Sequence, residues 1–556
     1  MRGSGASALV DATTGTVHAS QEFVADAAIS DASLIDALGG QGRIKKEPPQ
    51  TLHREWFDTF DWRLHRAGLS LERATVAGSA RAQLLLRRTS GEVLQVVPTS
   101  APGADGRSGD KTLVLAGNES VGSLHARLAP VVQMRALLGL VGVTVTVRTF
   151  SVLDANAKTV ARIVVEEPAG DTSDTLSAPR SRVTAVAVRG YQGEVTKLVR
   201  RLSTLAALRP SSEGRLDAAL AEVGRLAGDY SGQLDLTLSA SQSAGTALQT
   251  ILLRLLDVAE RNLPGIAADL DTEFLHDLRV SVRRGRTALK LLGDLLSADQ
   301  VESLMLDLKW MSDLTTPTRD LDVHCLIASK AGARGGPAEE LRLFHAFLLA
   351  RRQLARQKLV RGLRSARWSR ALLRWRSLCT SPHPVSAGLS SAVSDHTVED
   401  IARSRIARAY GRARRLGEAI TDTSPATDLH ALRKRCKELR YLMEFFASVL
   451  NGRSYRAVLS QLKSLQDCLG EFQDTYVQVR AVATFADEML TEGAGSAATL
   501  MALGRTVDAL ELRQAQARQE FGARFKRFAN KSTRAHLEVL TKDRPQSSPE
   551  QLRGWR

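Results

Sequence analysis

The chain has 556 residues, 43% hydrophobic and 24% charged, with a formal net charge of +16 at pH 7 and a pI near 10.0. That length implies two or more domains with sizeable cores, and that charge implies an anionic partner or surface. The four cysteines, Cys325, Cys379, Cys436 and Cys468, lack paired metal-ligand spacing and lie in no short disulfide framework, so reduced thiols and a cytoplasmic setting are expected. The most apolar stretch, residues 131–147, is interrupted by Arg135 and too short to cross a bilayer, so no membrane span is expected.

In chain order, residues 1–20 read as a loose leader of small and polar residues without a signal-peptide core. Residues 31–38 predict a short helix, residues 84–86, 94–97 and 111–116 predict strands, and the Gly/Ser/Asp-rich stretch 100–110 predicts a hairpin loop. A helix is expected over 122–138, strands over 144–153, 159–166 and 182–189, and an amphipathic helix over 194–208. Many strands with few helices indicate an α+β domain over 21–208.

The run Arg209-Pro210-Ser211-Ser212-Glu213-Gly214 breaks that pattern, so 209–242 is expected to be a linker with a short helix. From 243 to 540 nearly everything has helical periodicity, with breaks expected at 263–265, 315–318, 332–337, 381–384 and 421–425. The tail 541–556 is polar and is expected to be disordered. Residues 1–234 carry 27 basic and 24 acidic residues, whereas 235–556 carry 49 and 36. The positive charge therefore belongs to the helical half.

That half contains one stretch twice, at a constant offset of 154 residues. His276 falls on His430, Arg279 on Arg433, Arg283 on Lys437, Arg286 on Arg440 and Lys309 on Lys463, and Asp313 and Asp320 fall on Asp467 and Asp474. The expected halves are 243–395 and 396–540. Steps of three and four residues place His276, Arg279, Arg283 and Arg286 on one helix face, and His430, Arg433, Lys437 and Arg440 on another. Like charges at these spacings repel, so something anionic should offset them. A single basic stripe is ordinarily a solvated face, but two matched stripes, each opened by histidine, favour a polyanion ligand. Asp320 and Asp474 read as structural partners of arginine rather than as ligands. No paired carboxylates demand acid–base catalysis.

His276-x-x-Arg279-Val280-x-x-Arg283-Arg284-x-Arg286 resembles the opening signature of the CHAD domain, the conserved-histidine α-helical domain. Leu308-Lys309-Trp310, Arg319-Asp320-Leu321-Asp322-Val323, His430-x-Leu432-Arg433-x-x-x-Lys437-x-Leu439-Arg440-Tyr441-x-x-Glu444 and Leu462-Lys463-x-Leu465-Gln466-Asp467-x-Leu469-Gly470 resemble its later landmarks. The resemblance implies two repeated helical bundles related by a pseudo-two-fold, with their basic rows facing a shared groove. It implies inorganic polyphosphate as ligand, the polyphosphate granule as location, granule-associated proteins as neighbours, and neither catalysis nor cofactor nor metal. The residues it assigns to polyphosphate are His276, Arg279, Arg283, Arg284, Arg286, Lys309, His430, Arg433, Lys437, Arg440 and Lys463.

The run from Trp56 to Leu71, with Val188-Arg189-Gly190-Tyr191, resembles CYTH domains, the triphosphate tunnel metalloenzymes, and implies an antiparallel barrel. The chain departs from that family's pattern. His18-x-Ser20-x-Glu22 stands where Glu-x-Glu-x-Lys is expected, Ala185-Val186-Ala187 stands for the late Glu-x-Glu, and Glu72 and Ala74 stand for two arginines. Metal-assisted triphosphate hydrolysis needs carboxylates to hold the cation, so a degenerate, noncatalytic domain is expected, with Glu166 as a candidate remnant acid. Arg81, Arg87, Arg88, Arg148 and Arg162 either line the barrel or lie on its surface. The alternatives are an active triphosphatase, which needs the missing carboxylates, and a nucleic-acid binder. A nucleic-acid binder should carry exposed aromatics or a groove-reading motif, yet only 5% of residues are aromatic.

Overall fold

The computed structural model describes residues 21–38, 43–101, 112–113, 115, 119–169, 180–188, 190–211, 213–333, 338–380 and 396–542. The expected leader, nearly all of the 100–110 loop, Arg189, residues 334–337, the 381–384 break and the tail from 543 lie outside them. Two compact units divide the chain, residues 1–231 and 232–556, and each is described by itself.

The first unit is an antiparallel sheet with helices on its faces. Its strands are β1 (Glu22–Ala25), β2 (Ile44–Lys46), β3 (Gln50–Asp58), β4 (Leu69–Val76), β5 (Arg81–Arg88), β6 (Val93–Ser100), β7 (Thr112–Leu113), β8 (Leu137–Leu153), β9 (Thr159–Pro168), β10 (Ser181–Ala187) and β11 (Arg209–Pro210). The order is β11-β1-β10-β9-β8-β3-β4-β5-β6, and β2 and β7 also pair with β8. The helices are α1 (Asp31–Leu38), α2 (Arg63–Arg66), α3 (Glu119–Val132), α4 (Gln192–Leu202) and α5 (Arg215–Glu222). The end strands β11 and β6 do not pair with each other, so the described sheet is open and the expected closed barrel is not what it forms.

Local physics explains where the elements depart from expectation. The helix expected over 122–138 stops at Val132, because Gln133 takes a left-handed φ of 54°. The apolar run beyond it joins the strand. Val141, Val143, Val145 and Val147 alternate with Gly142, Thr144, Thr146 and Arg148, a period of two that extends β8 to 17 residues. The helix expected to reach Leu208 ends at Leu202, where Ser203 and Thr204 turn their hydroxyls back onto the carbonyls of Val199 and Arg201. Leu208 still packs in the core. Residues 209–210 pair with β1 rather than forming a break.

The same alternation puts Leu52, Arg54 and Trp56 on one face of β3. Arg54 is only 1% exposed and donates to Glu72 and to Glu166 (2.6 Å). Arg215 on α5 donates to Glu166 as well and pairs with Glu22 at 2.8 Å; Arg87 lies 3.4 Å from Glu72 and Arg182 lies 3.4 Å from Glu22. Burial alone would raise the Glu166 carboxyl, but the fields of Arg215 and Arg54 outweigh it and hold it far below the usual carboxylate range. Glu166 is therefore clamped between two guanidiniums, not a free acid. Arg148 is tied to Asp31 and Glu167, while Arg88 pairs with Glu92 at the surface.

Among the described residues the second unit has ten α-helices: α6 (Ala244–Ala268), α7 (Thr272–Leu292), α8 (Ala298–Ala333), α9 (Ala338–Leu363), α10 (Ala366–Thr380), α11 (Val398–Glu418), α12 (Ala426–Phe445), α13 (Gly452–Thr491), α14 (Ala497–Phe528) and α15 (Lys531–Thr541). Side chains accepting from their own first turns fix several starts: Ser243, Asp271, Thr397, Asn451, Ser496 and Asn530. The starts of α6 and α11, of α7 and α12, and of α8 and α13 each lie 154 residues apart. A core built from Cys325, Phe344 and Leu348 on one side and Val482, Met489 and Leu503 on the other joins the α8–α9 pair to the α13–α14 pair.

Two expected breaks are absent. Pro264 and Pro317 both sit inside continuous helices. Gly265 beside Pro264 lets Phe274 pack against the backbone, since a Cβ there would lie 2.3 Å from the ring. Near Pro317, Thr315 and Thr316 donate to the carbonyls of Met311 (2.8 Å) and Ser312 (2.7 Å), tightening the turn that the proline leaves short of a donor. All four cysteines are buried and free, and no helix among the described residues is long and apolar enough to cross a membrane.

Candidate functional site

A cleft of about 1160 Å³ opens in the helical unit. Arg279 reaches it from α7, Asp320 and His324 from α8, Arg351 and Lys358 from α9, His430 and Arg433 from α12, and Gln473, Asp474 and Glu488 from α13. Positions 154 residues apart meet there: Arg279 with Arg433, Asp320 with Asp474, and Val323 with Val477.

Each motif cation has a definite environment. Arg279 donates through one nitrogen to the Ser312 carbonyl (3.2 Å) and to the hydroxyls of Thr315 (2.9 Å) and Thr316 (2.8 Å), in the turn just before Pro317. Arg433 pairs with Asp474 at 3.0 Å, and His430 Nδ1 lies 2.9 Å from Gln473 Oε1. Arg283 donates to the Tyr441 hydroxyl at 2.9 Å. Burial, then the fields of Arg433 and Arg283, pulls the Lys437 ammonium down to about 8. Arg283 and Lys437 stand on different halves, so the two rows converge. Burial raises the Asp320 carboxyl despite Arg279, and burial lowers His324, which is therefore neutral at pH 7.

Other motif residues are engaged by carboxylates or lie outside the cleft. Glu444 accepts from Arg284 at 2.7 Å and from Arg440 at 2.6 Å. Lys290 donates to Glu438 at 2.7 Å. These ion pairs are reciprocal: 284 and 438 are 154 apart, and so are 290 and 444. Each half thus contributes the same two positions to the contact between α7 and α12, as a two-fold contact requires. His276 is half-buried on α7 and does not line the cleft. Arg286 is half-buried as well. Lys309 pairs with Asp313 (2.8 Å) on an exposed surface. Lys463 lines a different cleft of about 790 Å³ between α13 and α14, with Arg456, Arg513 and Arg524.

The rows therefore do not stand as unneutralised stripes. Asp320, Asp474 and Glu444 supply much of the negative charge that the like-charge spacing calls for. Lys358, Arg351 and His324 enter the cleft without having been singled out in the sequence. Lys358 and Arg351 lie on α9, which carries none of the motif landmarks; His324 follows Asp320 by one helical turn, a spacing that would have revealed it.

Glu444 holds two arginines with little water access, so Glu444→Ala is expected to destabilise the helical unit by about 1–3 kcal/mol. A lowered urea midpoint at unchanged slope checks this. An unchanged midpoint would mean that Arg284 and Arg440 are available to a ligand instead.

Residues 250–483 match the CHAD domain family profile. The helical unit therefore carries a CHAD domain. Among solved structures, the CHAD domain from the plant Ricinus communis is 22% identical at a TM-score of 0.41, covering 56% of this chain and 96% of its own. PptA from Streptomyces chartreusis is 20% identical at a TM-score of 0.41, covering 51% of this chain and 100% of its own. No curated protein matches the chain.

Proposed function

We propose that the helical unit binds inorganic polyphosphate without breaking it down. The CHAD family is linked to polyphosphate binding, and the observation carrying the reading is that Arg279 and Arg433, 154 residues apart, line one cleft with His430 while Arg283 and Lys437 converge beside it. The halves are read as a duplicated unit about a pseudo-two-fold, which the reciprocal ion pairs support. Polyphosphate has no bases to read, so only charge and oxygen hydrogen bonds hold it; arginine forks bind phosphate bidentately and lysine acts as a point charge. The binding set is Arg279, Arg283, His430, Arg433 and Lys437, with Lys358 added. His276, Arg286, Lys309 and Lys463 would contact a chain long enough to leave the cleft. A polyphosphate granule, with its associated proteins, is the proposed location.

The first unit is proposed as a CYTH-like domain that no longer hydrolyses triphosphates. Its acids Glu22, Glu72 and Glu166 are engaged by arginines, which leaves them poorly placed to hold a divalent cation.

Titrating the full chain with long-chain polyphosphate, tripolyphosphate and duplex DNA at several salt concentrations tests the proposal. Long chains are expected to bind tightest, and affinity to fall with salt because phosphate contacts release counterions, by analogy with DNA. DNA binding as tight as that of polyphosphate at every salt concentration would favour the nucleic-acid reading instead.

A pH dependence follows from Lys437. A polyanion favours the charged amine, so the bound complex holds a proton that the free protein loses as pH rises through about 8. Affinity is expected to be flat below pH 7 and to fall by up to about tenfold per pH unit above pH 8. Lys437→Arg should flatten the curve, because a guanidinium does not titrate there. A wild-type curve already flat from pH 7 to 9.5 would remove Lys437 from the site.

A further inference from the structure

We infer that Lys437 is a site of covalent N-acylation by acyl phosphates, and that this modification weakens polyanion binding at the basic cluster beside the cleft; the inference rests on the phosphate-binding reading for delivery of the reagent.

The argument is geometric first. Lys437 is half-buried on α12, one turn from Arg433 and one turn from Arg440, and Arg283 of α7 reaches the same helix at the Tyr441 hydroxyl (2.9 Å), one turn beyond Lys437; Asp474 of α13 is the carboxylate whose field reaches it. Asp474 is already paired with Arg433 at 3.0 Å. Among the described residues, Lys437 makes no hydrogen bond or ion pair. It is an amine among three guanidiniums and paired with no carboxylate, whereas Lys290, Lys309 and Lys542 each have one. Such surroundings make an amine nucleophilic and attract a dianionic reagent to it.

The chemistry needs only those groups. The dianionic phosphoryl end of an acyl phosphate sits against Arg283 and Arg433, which bind its oxygens. The neutral Nζ attacks the acyl carbon, the carbon–oxygen bond to phosphate breaks, and the nitrogen's proton leaves with the departing hydrogen phosphate. The product is an amide and carries no charge. The basic cluster beside the cleft loses a cation at the point where the two rows meet.

Burial and the neighbouring guanidiniums favour the neutral, nucleophilic form of this amine. Lys434, exposed on the same helix, is the internal control.

The full chain is incubated at pH 7.5 with acetyl phosphate, and in parallel with the neutral donor p-nitrophenyl acetate, and acetylation of each lysine is followed by peptide mass spectrometry. With acetyl phosphate, Lys437 is expected to react about tenfold faster than Lys434. The lead should shrink with the neutral donor, in Arg283→Gln, and when long-chain polyphosphate is present. The acetylated protein should bind polyphosphate more weakly. Equal rates at Lys437 and Lys434 with acetyl phosphate overturn the inference. A lead that persists undiminished with the neutral donor and in Arg283→Gln overturns phosphate delivery. A lead for acetyl phosphate that polyphosphate leaves untouched, in a protein that titration shows does not bind polyphosphate, sinks the polyphosphate reading and leaves the acylation site standing.

Discussion

Changing Arg283 and Lys437 together to glutamate is expected to abolish polyphosphate binding, a loss of at least about 1000-fold. The two residues stand on α7 and α12, close enough for the field of Arg283 to depress the Lys437 amine. A hydrogen bond to a charged group contributes about 1.5–3 kcal/mol, and each reversal also sets a repelling charge against the ligand. A chain spanning both rows gains effective concentration for its second contact, so either single change also forfeits that gain and should by itself weaken binding strongly. The fold should survive, because Arg283 is exposed and gives up one bond to the Tyr441 hydroxyl, while Lys437 gives up no hydrogen bond. Calorimetric titration reads the affinity and circular dichroism reads the helix. A helical double variant that still binds long chains like its parent would end the assignment. The variants Arg284→Gln and Lys309→Gln serve as a contrast: they should weaken binding by less than about tenfold, since one side chain is held by Glu444 and the other by Asp313.

Helical periodicity in the sequence pointed to the helical unit, and the 154-residue offset singled out Arg279 and Arg433, which line one cleft. What spacing could not reveal was which cations are already engaged. Arg284 and Arg440 look identical to Arg283 along a helix, yet they turn to Glu444, a residue four positions beyond Arg440 that the sequence offers only as part of a motif. Lys463 stands in register with Lys309, but it borders a separate cleft beside α14 and stays exposed. In the first unit, the alternation of β8 was visible, but its first residues were hidden in an apolar run that reads equally as a helix. The pairing of Arg54 with Glu72 escaped notice because a buried ion pair between strands has no signature along the chain. It shows itself only when β3 and β4 lie side by side.

Arg54→Met is expected to destabilise the first unit by about 3–5 kcal/mol, the cost of leaving buried carboxylates without their partner. Arg54 is the shared donor to Glu72 and Glu166, and all three are nearly inaccessible to water. Arg87 and Arg215 remain as second partners, so both acids stay ionised next to a methionine that cannot donate. The acid limb of stability carries the same information. The folded Glu166 carboxyl lies below its unfolded value near 4.3. Its contribution is therefore fully present above about pH 4.3 and is lost as pH falls through the folded value. Glu166→Gln removes that dependence, so its stability should change less than the parent's between pH 5 and 3. Hydrogen exchange of peptides from β3, β4 and β9 in the full chain localises the effect. Arg54→Met should speed exchange there by roughly 100-fold or more while leaving peptides of α7 and α12 at parental rates. Parental exchange throughout would mean that Glu72 and Glu166 find enough support from Arg87 and Arg215 alone, and that the network is redundant at Arg54.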